Sequence, residues 1–301
     1  MREAVARFVP DGASVCMGTA LEALIPFAAG HELIRQRRRD LTLVGPISDM
    51  LFDQLVAAGC VRARSRRRGS ATCQRGLGHN YRRAVERGVP HPIEVEDHSN
   101  LTIAAALQAG AMGAPYIPTR SLLRHGPAST PTRPSSRRAI PFPAIPSVLI
   151  PALTPDVAIL HVQRADAEGH AHCWGTLGVT RQARAGREAR HHRGRGDPAA
   201  RAHPVRSRPR AGARAQGRRG RPRALRRLSR RRCRATTARG HDFYHRYHEE
   251  TRTVEGTRAW LDRWVYGVAD WTGFLALLGP DAQAAVRITT PRLSEPLDYG
   301  A

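Results

Sequence analysis

The 301-residue sequence contains no lysine; all 49 of its basic residues are arginine. Aromatic residues make up only 5% of it, and there are five cysteines. No apolar run reaches the roughly 18 residues that a membrane span requires, and the opening residues show no signal-peptide hydrophobic stretch. No membrane association is therefore expected. Cys16, Cys60, Cys73, Cys173 and Cys233 are odd in number and scattered, which argues against a disulfide framework and makes a reducing cytoplasm the expected location. No GxGxxG fingerprint is present to support a dinucleotide site. His170, His172 and Cys173 lie close together but do not follow zinc-site spacing, so no metal is expected.

Charge is what the sequence has in excess. The formal net charge is +24. Residues 62–75, 124–138 and 181–240 hold six, four and twenty-two arginines, accompanied only by the acids Glu188 and Asp197. Outside these windows 17 arginines face 23 acids, a net charge of −6. The framework is mildly acidic, and the basicity is local. Between Arg181 and Gly240 the large aliphatics are Val205, Leu225 and Leu228, with no Ile, Phe, Tyr, Trp or Met. Such a stretch cannot bury enough apolar surface to offset backbone ordering at about 1–2 kcal/mol per residue. Two readings follow. An Arg-rich nucleic-acid-binding protein would carry this charge, but the windows lack interleaved aromatics and any groove-reading motif, so that reading rests on charge alone. The other is out-of-frame translation of a GC-rich gene, whose shifted codons give mostly Arg, Ala, Pro and Gly. On the second reading the chain is a single domain over 1–301, interrupted by the three windows. The later strands of its sheet would be missing, which predicts low solubility and an inactive chain as written.

The framework alternates strands and helices. Arg2–Val9 has the pattern of a short amphipathic helix, and Pro10-Asp11-Gly12 of a turn. Ala13–Met17 reads as a buried strand leading to Gly18-Thr19, Ile25–Gln36 as a helix, Asp40–Val44 as a second strand, and Asp49–Ala58 as a helix closed by Gly59. This alternation predicts an α/β fold, an open, mainly parallel sheet covered by helices. Ligands gather at the carboxyl ends of strands in such sheets, which makes Gly18 and Thr19 candidate contacts as well as a tight turn. Val157–Val162 reads as a further buried strand. Arg258–Tyr266 is amphipathic, Trp271–Leu278 is apolar, and the residues from Ile288 read as a frayed tail.

The chain is organised around Glu94–Leu123. Three carboxylates (Glu94, Glu96, Asp97) precede Ser99-Asn100 and an Ala-rich apolar segment from Leu101 to Met112. Ser99 has the position of a helix N-cap, so the free N–H groups and positive dipole end would point at whatever lies beside it. Gly110 and Gly113 would close the helix, and Pro115–Pro118 would start an extended segment.

The Glu-x-Ser-Asn turn, the AGAMG helix end and the PTRSLL strand together resemble the alpha subunit of class I CoA-transferases, of the kind found in glutaconate CoA-transferase. Ala165, Asp166 and Gly169, after the Val157–Val162 strand, match the family's Ala-Asp-x-x-Gly-Asn turn, with His170 in place of the Asn. The resemblance covers roughly two thirds of the chain, all of it outside the three windows. One allowed set of codons for Leu228–Thr237, read one base earlier, encodes a segment resembling the family's PSPVQGYY.

The resemblance implies an alpha chain that moves CoA between an acyl-CoA thioester and a carboxylic acid. The nucleophilic glutamate would sit on a partner beta subunit, so no residue of this chain is expected to be catalytic, Glu96 being a weak candidate. Gly18, Thr19, Ser99, Asn100, Arg120 and Gly169 are the candidate substrate-binding residues. Arg120 would meet a substrate carboxylate or form a surface ion pair. The CoA thioester is a substrate, and no permanently bound cofactor is implied. A related branch, which opens rings on CoA thioesters by hydrolysis, uses an alpha-chain glutamate at a position near Asn100, which cannot act as a base. That branch is the alternative, with Glu96 and Asp97 close by.

Overall fold

The computed structural model describes residues 1–20, 25–46, 49–61, 72–73, 76–96, 98–120, 137–139, 146–162, 164–165, 171–172, 177–184 and 238–285. Helix α1 (Arg2–Phe8) leads through a turn to strand β1 (Ser14–Cys16), helix α2 (Phe27–Arg35), strand β2 (Thr42–Val44) and helix α3 (Asp49–Ala57). Strand β1 pairs in parallel with β2 on one side and with β8 (Val157–Ala158) on the other. The sheet order β2-β1-β8 is that of parallel strands joined by helices, as the alternating pattern predicts. Val15, Cys16 and Met17 are fully buried, because helices cover both faces of such a sheet. Strand β8 is shorter than the apolar run of Val157–Val162 predicts. Among the described residues it has β1 alone as a neighbour, and after Ala158 the Ile159 N–H still donates to the Cys16 carbonyl at 2.9 Å.

A short β-ladder, β3 (Thr72–Cys73) with β4 (Gly76–Leu77), precedes helix α4 (His79–Arg87). Helix α5 (Asn100–Met112) follows, with Ser99 as its N-cap and Gly113 as its left-handed C-cap. Gly110 lies inside the helix rather than ending it, because the chain leaving β7 approaches closely there. The Leu153 N–H donates to the Ala106 carbonyl at 2.8 Å, and a Cβ on Gly110 would collide with the Leu153 oxygen. Strand β5 (Tyr116–Thr119) then joins an antiparallel sheet with β6 (Arg137–Ala139) and β7 (Pro146–Pro151), in the order β5-β7-β6. Pro118 is tolerated in β5 because that strand lies at the sheet edge. The segment after Val162 forms an antiparallel pair, β9 (Arg164–Ala165) with β10 (Ala171–His172). A helical turn at 180–184 follows.

The C-terminal part is helical: α6 (Ala238–Glu250), α7 (Val254–Leu261), a π-helical turn (Asp262–Tyr266), α8 (Trp271–Leu278) and α9 (Pro280–Ala285). The amphipathic run from Arg258 thus widens into a π turn at Asp262. The Arg35 guanidinium donates to the Val265 carbonyl at 3.3 Å, giving that oxygen a partner from outside the helix. The C-terminal helices do not stand apart. Tyr247, Trp260, Trp264 and Phe274 share one core with Leu33, Ile34, Leu51 and Leu55 of α2 and α3.

Candidate functional site

The carboxyl end of β1 turns at Gly18, whose φ of +65° is left-handed and favours glycine. Thr19, next in the chain, is 5% exposed, and its hydroxyl shares a 2.9 Å hydrogen bond with that of Thr180. The Val179 N–H donates to the Thr19 carbonyl at 2.7 Å. Gly178 permits this approach, since a Cβ there would overlap the same carbonyl oxygen. Thr19 therefore fastens the rim to the helical turn at 180–184, and its side chain is committed to that contact. Sequence reasoning placed Gly18 and Thr19 on the rim but missed Thr180, which sits at the edge of the Arg-rich window.

Helix α5 packs against the same end of the sheet. Ile103, Ala106 and Leu107 share a buried cluster with Cys16 of β1, Val44 of β2, and Val179. One core thus holds the carboxyl ends of β1 and β2, helix α5 and the 180–184 turn together. Burial pushes the Cys16 thiol up to about 12, so it stays protonated and packs as an apolar group.

At the N-terminus of α5 the Ser99 hydroxyl oxygen accepts the Thr102 N–H at 3.1 Å, as the sequence predicts for an N-cap. The Thr102 hydroxyl donates to the Ser99 carbonyl at 3.2 Å. Asn100 is exposed, and the N–H groups of Asn100 and Leu101 take no acceptor among the described residues. Two free amides at the positive end of a 13-residue helix form a donor pair for a carboxylate or a developing oxyanion. Glu96 lies nearby, with one carboxylate oxygen 3.3 Å from His98 Nε2. The other ring nitrogen of His98 lies 3.3 Å from the Thr102 hydroxyl. Glu96 is thereby tied to the cap structure. Arg120 follows β5 and is exposed. Gly169 and Asp97 lie outside the described residues.

Two buried polar clusters escaped the sequence reading. Asp53 of α3 is 0% exposed; its Oδ2 accepts from Asn80 Nδ2 at 2.7 Å and from the Tyr247 hydroxyl at 2.5 Å, and its Oδ1 accepts from the Tyr81 N–H at 2.7 Å. Arg83 continues this network to the carbonyl groups of Thr251 and Arg252, at the end of α6. The second cluster is His31 of α2, whose Nε2 lies 2.8 Å from Gln54 Oε1 among the rings of Phe27, Trp271 and Phe274. The Gln54 oxygen can only accept, so the Nε2–H tautomer is present. Burial lowers the His31 pKa to about 4, against the opposing effect of its hydrogen bond to Gln54. The available signal was polar residues, Asp53 and Gln54, in the middle of an otherwise apolar helix. Both clusters join the N-terminal sheet to the C-terminal helices.

A family model described as coenzyme A transferase matches residues 1–190. The chain is 37% identical over 187 residues to the A subunit of the 3-oxoadipate CoA-transferase of Pseudomonas knackmussii, covering 61% of this chain and 64% of that protein. It is 27% identical over 192 residues to the A subunit of the glutaconate CoA-transferase of Acidaminococcus fermentans, covering 58% of each. The chain thus spans less than two thirds of the length of these relatives. Among solved structures, a cysteine-to-serine variant of the decarboxylase AibA/AibB is similar with a TM-score of 0.52 and 30% identity, over 62% of this chain and 69% of that one. The glutaconate coenzyme A-transferase of A. fermentans is similar with a TM-score of 0.71 over 99% of this chain and 97% of that one, at 18% identity. That likeness shows the fold, and it bears out the expected helix-covered, mainly parallel sheet.

Proposed function

This chain belongs to the coenzyme A transferase family, and we propose that within it the chain is the alpha subunit of a class I CoA-transferase, working with a separate beta subunit. The observation that carries the reading is the 37% identity to the A subunit of the 3-oxoadipate enzyme. A surface feature adds support: Leu101, Met112 and Tyr116 are 58%, 68% and 47% exposed, an apolar edge on α5 and β5 that a partner would cover.

In the proposed reaction the nucleophile is a glutamate of the beta subunit. Its carboxylate attacks the acyl-CoA carbonyl, the C–S bond breaks, and CoA leaves as the thiolate. The thiolate then attacks the glutamyl carbonyl of the mixed anhydride, releasing the first carboxylic acid and leaving CoA on the enzyme as a thioester. The second acid reverses both steps. No redox cofactor is needed, and splitting one transfer into two steps is the advantage of covalent catalysis. The alpha chain contributes the acyl side of the site. The free amides of Asn100 and Leu101 would stabilise the oxyanion or orient a carboxylate. The two relatives are named for 3-oxoadipate and glutaconate, both dicarboxylates, so the acyl group proposed here is dicarboxylic, with Arg120 as the candidate partner of its far carboxylate. Gly18, Thr19 and Gly169 would shape the rim, and the reaction is assigned to the cytoplasm.

The Arg-rich windows belong to this proposal as out-of-frame segments. Resequencing the coding DNA over residues 60–76, 122–140 and 180–242 is expected to reveal compensating single-base errors. The frame-restored chain, co-purified with the B subunit of a 3-oxoadipate enzyme, should transfer CoA to a dicarboxylic acid and do nothing alone. Thioester hydrolysis that needs no acceptor acid, or transfer by the chain alone, would overturn the reading.

A further inference from the structure

Gly18 and Thr19 mark the carboxyl end of the parallel sheet. At the opposite end, where the chain enters β1 and β2, lies a cavity of about 410 Å³. Arg37, Arg38 and Arg39 line one side of it, Ala58 and Gly59 another, and Asp262 and Tyr266 of the π turn a third. The turn carrying the arginines is held at several points. The Arg37 N–H donates to the Ile34 carbonyl at 2.9 Å and the Arg38 N–H to the Leu33 carbonyl at 3.1 Å. Asp11 accepts the Arg39 N–H at 2.9 Å, and the Gly12 N–H donates back to the Arg39 carbonyl at 3.0 Å.

The side chains are far less committed. Arg38 reaches the Ala6 carbonyl and Gln36 Oε1 through one terminal nitrogen, at 3.3 and 3.0 Å, while its Nε is buried without a partner. The guanidinium groups of Arg37 and Arg39 are exposed, with no hydrogen bond or ion pair among the described residues. Three arginines are thus among the residues lining the cavity, with Asp262 as its one acidic lining residue, Arg38 being turned to Ala6 and Gln36 and Asp11 engaged by the Arg39 amide. Ala58 and Gly59 leave its floor open for want of side-chain bulk. Burial, and after it the neighbouring Cys60, push the Tyr266 phenol above its ordinary range while Arg37 pulls it down. The phenol thus remains a protonated donor at neutral pH. A concave surface with uncompensated positive charge concentrates anions, and guanidinium forks match phosphoryl oxygens two at a time.

We propose that this cavity is a binding site for a small phosphate-bearing anion, gripped by Arg37 and Arg39 with the Tyr266 hydroxyl as a further donor. The site is separate from the rim and does not depend on the transferase reading.

The test must resolve individual arginines, because the Arg-rich windows bind anions by charge alone. The full chain is treated with phenylglyoxal, and the modification rate of each arginine is followed by peptide mass spectrometry, with and without pyrophosphate at fixed ionic strength. Arg37 and Arg39 should be protected saturably, by at least about fivefold, while the exposed Arg2, Arg7 and Arg87 react at unchanged rates. A chain carrying Arg37→Gln and Arg39→Gln should lose the saturable pyrophosphate heat in calorimetry while keeping its urea midpoint, since neither side chain makes a structural bond. Equal rates with and without pyrophosphate, equal protection by acetate, or protection spread evenly over all arginines would overturn the site.

Discussion

Asp53 shows how much a single buried side chain can hold. Both of its carboxylate oxygens are occupied, by an amide side chain, a phenol and a backbone N–H drawn from α4 and α6. Asp53→Ala would leave three donors without an acceptor in a dry site, where each unsatisfied group costs about 1–3 kcal/mol. The expected loss is therefore about 3 kcal/mol or more, read as a fall in the urea midpoint; a change within error would remove the network from the account. His31 gives a pH dependence with a definite sign. Its pKa falls from 6.5 to about 4 on folding, so the unfolded chain binds the proton more readily. Its contribution is full above pH 6.5 and is lost as the pH drops through that window towards 4. At about 1.4 kcal/mol per pH unit, the loss comes to roughly 3 kcal/mol. Urea midpoints at pH 7, 5.5 and 4.5 should follow this slope, and His31→Phe should flatten it.

Helix α5 is the element whose construction the sequence announces most clearly. Its cap, its left-handed closing glycine and its apolar interior are all local features. Ser99→Ala should cost about 1 kcal/mol through the lost bond to the Thr102 amide, and Ser99→Asp should restore most of it. Thermal denaturation of the three proteins would check the order. Gly110 is a different case. Its need for a missing Cβ comes from Leu153, far along the chain. Gly110→Ala would push α5 away from the end of β7 at a cost of about 2 kcal/mol, although alanine is the better helix former. A stabilised Gly110→Ala protein would contradict that packing.

Across the full length of the chain, the C-terminal helices complete the N-terminal core. The family match ends at residue 190, yet Tyr247, Trp260, Trp264 and Phe274 pack on α2 and α3, and Arg83 holds the end of α6. A chain ending after residue 240 would expose this aromatic surface and strip Asp53 of Tyr247. We expect it to lose cooperative unfolding in circular dichroism; a sharp transition would show that the N-terminal part folds without them. Net charge also acts over the full chain. The framework's −6 against the windows' concentrated arginine means that any nucleic-acid affinity should fall steeply with salt, and on the out-of-frame proposal it should be absent from a chain with the windows replaced.

What depends on near neighbours was legible in the sequence. The alternation of strands and helices, the Ser99 cap and the Gly18 turn are all set by periodicity and by residues a few positions apart, and the run from Glu94 to Leu123 was legible through its resemblance to a known family. Only the folded chain brings distant segments together. Thr19 meets Thr180, Asp53 meets Tyr247, His31 meets Trp271, and the arginines after α2 meet Tyr266 across more than two hundred residues. A buried polar group must find its partner wherever the fold supplies one, and no local pattern records where that will be.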